Sequence, residues 1–182
     1  MLFTVLLAAT APISVDKNLS EMAALYDEVC LRTFPDDKSV ARLMAERGAE
    51  ELSPAEVTVT MVDDPARAWR LAGSKTTVWL EFPPFHACSV RWNSPEIGDL
   101  SAYQAIAERY MASNDYHPME PLEGDRGDIH IRITGQRRDL PGDGAESLMM
   151  VVQNISNSAR RAAGETGLSL RFVHQIAFPR KD

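Results

Sequence analysis

The spacing of apolar residues changes several times along the chain, and each change marks an expected element. From Ser20 to about Thr33, the residues Met22, Leu25, Tyr26, Val29 and Cys30 recur at intervals of three and four, the stripe of an amphipathic helix. Pro35 stops it. Asp36 or Asp37 then caps a second helix, which buries Val40, Leu43 and Met44 and ends at Gly48. Ser53-Pro54 reads as a turn or a short helical start, after which the period falls to two. "EVTVTMV", "ARAWRLA", "TTVWLEF" and "HACSVRW" are expected as strands of an antiparallel meander, punctuated by Gly73-Ser74-Lys75 and Pro83-Pro84. In "HACSVRW", His86, Cys88, Val90 and Trp92 share one face, and Ala87, Ser89 and Arg91 share the other.

Beyond the meander, Asp99 is placed to cap a third helix with Leu100, Tyr103, Ile106, Ala107, Tyr110 and Met111 on its stripe. Asn114 to Gly127 is a turn-rich connection. "DIHIRITG" then sets Ile129, Ile131 and Ile133 against His130, Arg132 and Thr134, the alternation of a half-buried strand, and "RRDLPGDGAES" reads as a long polar loop. "LMMVVQNIS" fits either period; Val151-Val152 and the polar end favour a strand. "GLSLRFVHQIAF" closes the chain as a strand, with Leu168, Leu170, Phe172, His174, Ile176 and Phe178 facing inward. Strands and helices are segregated rather than strictly alternating. That predicts an α+β fold: an antiparallel β-sheet with about three helices packed on one face.

The length of 182 residues suits one domain. The net charge of −7 repels nucleic-acid phosphates and anionic lipid, so no nucleic-acid partner is expected. No apolar run approaches the roughly 20 residues of a membrane-spanning helix, so no transmembrane segment is expected in the mature chain. Leu2 to Ala11 is apolar apart from Thr4 and Thr10 and ends in Ala9-Thr10-Ala11, a small-x-small pattern. Residues 1–15 are therefore expected to be a signal peptide and residues 16–182 a single domain, periplasmic or secreted. The competing reading makes "FTVLLAA" a first strand of a cytosolic domain.

The chain has two cysteines, each on the core-facing side of its expected element, and in an oxidising compartment a Cys30–Cys88 disulfide is the simplest framework. The alternative at "HAC", a reactive thiol or a metal site at His86 and Cys88, lacks an orienting third group and any ligand spacing, so no metal or cofactor is expected. No phosphate-binding loop, dinucleotide fingerprint or nucleophile elbow occurs.

Asp128, His130 and Arg132 project from one strand face, and Arg171 and Gln175 form a polar row on the last strand. Were those strands neighbours, His130, Arg132, Arg171 and Gln175 would make one binding patch. His174 sits on the apolar side of its strand, where a core role is expected. The leading functional expectation is an exported, non-enzymatic binding, inhibitory or envelope-assembly module with a protein or small-molecule partner. The alternatives are a small enzyme with an acid-base site at His130 and Arg132, or around His86 and His174, and a cytosolic regulatory domain.

Overall fold

The computed structural model describes residues 17–61, 64–83, 85–93, 98–112, 114–159 and 169–178. The expected leader lies outside them. Helix α1, Lys17–Tyr26, runs without a break into π-helical turns over Asp27–Thr33, and α2 follows at Asp37–Glu46. Asp36 caps α2, its carboxylate accepting from the Lys38 and Ser39 amides. After β1 (Glu50–Glu51) comes α3, Pro54–Met61, and then the meander β2 (Ala66–Arg70), β3 (Thr76–Glu81) and β4 (Phe85–Asn93). Helix α4 spans Ser101–Met111, with the Asp99 carboxylate accepting from the Ser101 amide at 2.9 Å. Strands β5 (His117–Pro118), β6 (Leu122–Arg126), β7 (Ile129–Leu140), β8 (Gly144–Ile155) and β9 (Ser169–Ala177) complete the order.

All the pairings are antiparallel, in the spatial order β1-β2-β3-β4-β9-β8-β7-β5, with β6 beside the first half of β7. The last strand thus enters the middle of the sheet and joins the meander to the β7–β8 hairpin. The result is the expected α+β fold, a large antiparallel sheet with helices packed against it. Paired residues point to the same side, so the register sorts the side chains into two faces. One face presents Val78, Leu80, Cys88, Val90, Trp92, Leu170, Phe172, His174 and Leu148 to α1, its π-helical extension, α2 and α4. There the stripe Met22, Leu25, Tyr26, Val29 and Cys30 is fully buried, and Tyr103 stacks on Phe172 at 3.9 Å between centroids. The Cys30–Cys88 disulfide ties this helical layer to the sheet, with Cα atoms 5.3 Å apart.

Three expectations are corrected. "EVTVTMV" is not a strand: its first six residues belong to α3, which packs Val57 on Ala68 and Trp79 of the opposite sheet face. Ser53 and Glu56 form a capping box there. The Ser53 amide and hydroxyl both donate to the Glu56 carboxylate at 2.9 Å, with Pro54 in the first helical turn. This local bonding overrides the β preference of Val57-Thr58-Val59-Thr60. "RRDLPGDGAES" is not a long loop either. Strands β7 and β8 run through it and leave only Pro141-Gly142-Asp143 as the turn, where Gly142 and Asp143 take positive φ. The inward row of β9 holds for Leu170, Phe172 and His174, but Ile176 is only half-buried and Phe178 is 57% exposed. Leu168 lies outside the described residues.

Candidate functional site

The four residues nominated as a patch are not assembled. Strand β8 lies between β7 and β9, so those strands are not neighbours. Register also separates the pairs by face. Arg132 pairs with Val152, and Val152 with Leu170, which places His130 and Arg132 on the side that carries the helices. Arg171 pairs with Val151 and Gln175 with Ser147, on the other side. His130 is held between the carboxylates of Asp125 (2.8 Å) and Glu123 (3.2 Å) of β6, and Arg132 reaches Glu123 only at 3.9 Å. The Asp125 and Glu123 hydrogen bonds hold the His130 pKa above its ordinary value. This is a solvent-facing ion cluster.

At "HAC", Cys88 is consumed by the disulfide and His86 bonds Asp37 at 2.7 Å with its ring edge-on to Phe34. The three tryptophans do not line a common pocket: Trp69 and Trp92 face the helices and Trp79 faces α3.

The buried chemistry centres on His174 and Glu146. Widening of the helix over Asp27–Thr33 sends the Phe34 amide to the Val29 carbonyl, and residue 35, a proline, has no N–H to give. The Cys30 carbonyl is left without a helical partner, and His174 Nδ1 donates to it at 2.6 Å. The other nitrogen, Nε2, bonds the Glu146 carboxylate at 2.6 Å. Both ring nitrogens are therefore engaged in hydrogen bonds inside the protein, and neither is open to a ligand.

Glu146 also accepts from the Tyr110 hydroxyl at 2.9 Å and from Nε and Nη2 of Arg138. The remaining arm of that guanidinium donates to Asn114 Oδ1 at 2.6 Å. Burial pushes the Glu146 carboxyl up, but His174, Arg138 and Tyr110 together outweigh it and hold the group at about 2. Burial and the adjacent carboxylate raise Tyr110 to about 12, so it remains a neutral donor. Tyr116 lies under Arg138, its hydroxyl buried near Glu146 without a well-formed hydrogen bond.

Sequence reading placed His174 in the core but missed Glu146 and Arg138, because both fell in the supposed loop. The available signal was phase: Glu146 is two residues before Leu148, in step with the buried side of β8.

The helices do not cover the sheet evenly. Between α4 and the β7–β8 hairpin lies a cleft of about 410 Å³, floored by Leu148 and Met150 and walled by Tyr103, Met111 and Met119. Gln104, Thr134 and Gln136 supply polar groups at its lining. Methionines suit such a site because their flexible, polarisable thioethers adapt to differently shaped apolar ligands. Among the described residues, no group of three or more His, Cys, Asp or Glu side chains could hold a metal ion, and no helix is long and apolar enough to cross a membrane. In comparisons with known proteins, no family model, curated protein or solved structure gives a significant match.

Proposed function

We propose that the protein is an exported, periplasmic binding module that takes a small, largely apolar molecule in the α4 cleft and performs no chemistry on it. The cleft carries this reading. Its volume of about 410 Å³ falls in the range of small-molecule sites, and its lining is mainly apolar with a few polar groups. Support against an acid-base role comes from His174, whose ring nitrogens are both engaged. Support for export comes from the apolar Leu2–Ala11 segment and from the disulfide, a bond that persists in oxidising compartments.

The test of binding uses N-phenyl-1-naphthylamine, an uncharged apolar probe whose fluorescence rises on burial. The folded protein should bind it saturably. Gln104→Trp and Thr134→Trp, which fill the cleft from its helix and sheet sides, should each weaken binding by roughly tenfold. No saturable binding, or binding by both variants as tight as the wild type's, would remove the cleft from the account. Export has its own readout: after expression with the native start in a Gram-negative host, the mature mass should lack about the first eleven to fifteen residues. Full-length cytosolic protein would overturn it.

A further inference from the structure

The sheet face opposite α1, α2 and α4 carries a second charged cluster, and its hydrogen bonding is incomplete. Arg91 of β4 and Arg171 of β9 are direct cross-strand partners. Arg91 is only 6% exposed. Its Nε donates to Ser89 Oγ at 3.1 Å and Nη2 to Glu81 Oε1 at 2.7 Å, with Met61 Sδ 3.7 Å away. The guanidinium lies 4.3 Å over the Trp79 ring. Arg171, half-buried, donates Nη2 to Gln153 Oε1. That leaves Nη1 of Arg91 and Nε of Arg171, both buried and both without an acceptor.

The ion pairing is uneven as well. Glu81 bonds Arg91 and Asp64 lies near Glu81, but among the described residues no carboxylate bonds Arg171. Burial and the like charge of Arg171 push Arg91 down to about 9, even with Glu81 opposing. Burial likewise lowers Arg171. Buried guanidinium N–H groups are ordinarily paired.

We propose that Arg91 and Arg171 form a binding site for the carboxylate group of a small ligand, one oxygen on each free N–H. Two free donors on adjacent side chains match the two oxygens of a carboxylate, in charge-assisted bonds of the kind arginine favours. A phosphate, at roughly −1.5 to −2, would be repelled by the neighbouring Glu81 and Asp64 more strongly than a carboxylate. The site lies across the sheet from the α4 cleft and does not depend on it.

The probe is sodium acetate, compared with sodium chloride and sodium phosphate at matched ionic strength near neutral pH. Acetate should raise Tm saturably above the chloride value and should shift the Nε–H resonances of Arg91 and Arg171 in ¹⁵N-labelled protein. Arg171→Gln should melt in chloride no lower than the wild type and should lose the acetate response. Arg171→Lys keeps the charge and removes Nε; it should fold and respond to acetate roughly tenfold more weakly. Equal melting in acetate and chloride with unmoved resonances would overturn the proposal, as would an undiminished acetate response in either variant. A response to phosphate at lower concentration than to acetate would overturn the choice of carboxylate.

Discussion

Both faces of the sheet bury charge, and they do so differently. On the helical face, Glu146 receives His174, Tyr110 and Arg138, and Arg138 reaches Asn114 with its remaining arm. On the opposite face, Arg91 bonds the Glu81 carboxylate, Arg171 bonds Gln153, and one buried nitrogen of each has no partner. Among the described residues, the other buried side-chain polar atom without a partner is the Tyr116 hydroxyl, which carries no charge. A buried charge with every arm bonded holds elements in place, whereas one with free donors has the features of a ligand site. The helical-face network joins five parts of the chain through one carboxylate: β8, β9, α4, β7 and the Cys30 carbonyl. The arginine pair joins two central strands and repels itself.

The comparison is broken most severely by removing Glu146. Glu146→Gln leaves the buried His174 and the half-buried Arg138 without their carboxylate and should cost about 3–5 kcal/mol in urea unfolding, the usual penalty for breaking a buried ion pair from one side. A cost near zero would mean the network is ornamental. Next in size is the disulfide. It closes 58 residues of sequence separation, for which the chain-entropy model gives about 4 kcal/mol, and Cys88→Ser should lose about 2–5 kcal/mol. Two reactive thiols in freshly purified, oxidised and denatured protein would refute the bond.

Acid should act through the same carboxylate. Glu146 is held at about 2 in the folded chain against 4.5 as its ordinary value. A depressed folded pKa gives stability that is present above the unfolded value and lost as pH falls through the folded one. The loss should therefore run from about pH 4.5 to pH 2 and amount to roughly 3 kcal/mol. Glu146→Gln should flatten that limb of the stability profile, and an unchanged limb would assign it to other carboxylates. The smallest effect belongs to His130, whose partners sit in solvent. His130→Ala with Arg132→Ala should leave the melting curve unchanged at ordinary salt, where exposed pairs contribute little. The His130 pKa is raised, so whatever it contributes is present at acid pH and fades as pH rises through its folded value. A marked loss of binding in that double variant would restore the patch that register argues against.

Local pattern foretold the parts of this fold that local pattern controls. The first helix, a cap within Asp36-Asp37, the β2–β4 meander and the inward phase of Cys88 follow from spacing alone. The errors came where pattern competes with bonding. In α3, β-branched residues suggested a strand, and the capping box of Ser53 and Glu56 decided otherwise. At residues 137–147, polar composition suggested a loop, and a three-residue turn let the hairpin continue. The site was less legible still. His130 and Arg171 look alike as exposed cations on amphipathic strands. Which cations meet depends on strand order, and β8 separates β7 from β9. Arg91 was read only as sharing a face with Ala87 and Ser89. Its importance arises from the pairing with Arg171, a contact across 80 residues of chain that no local spacing encodes.

The contrast between the two faces can be measured directly by urea unfolding of Glu146→Gln and Arg171→Gln beside the wild type, in one chloride buffer free of carboxylates. Completed bonding on one face, and unpaired donors with like-charge repulsion on the other, predict opposite outcomes. Glu146→Gln should lose several kcal/mol, and Arg171→Gln should be as stable as the wild type or more so, since it relieves repulsion on Arg91. Equal destabilisation by both variants would mean that the arginine pair is structural in the same sense as the Glu146 network, and would contradict the account.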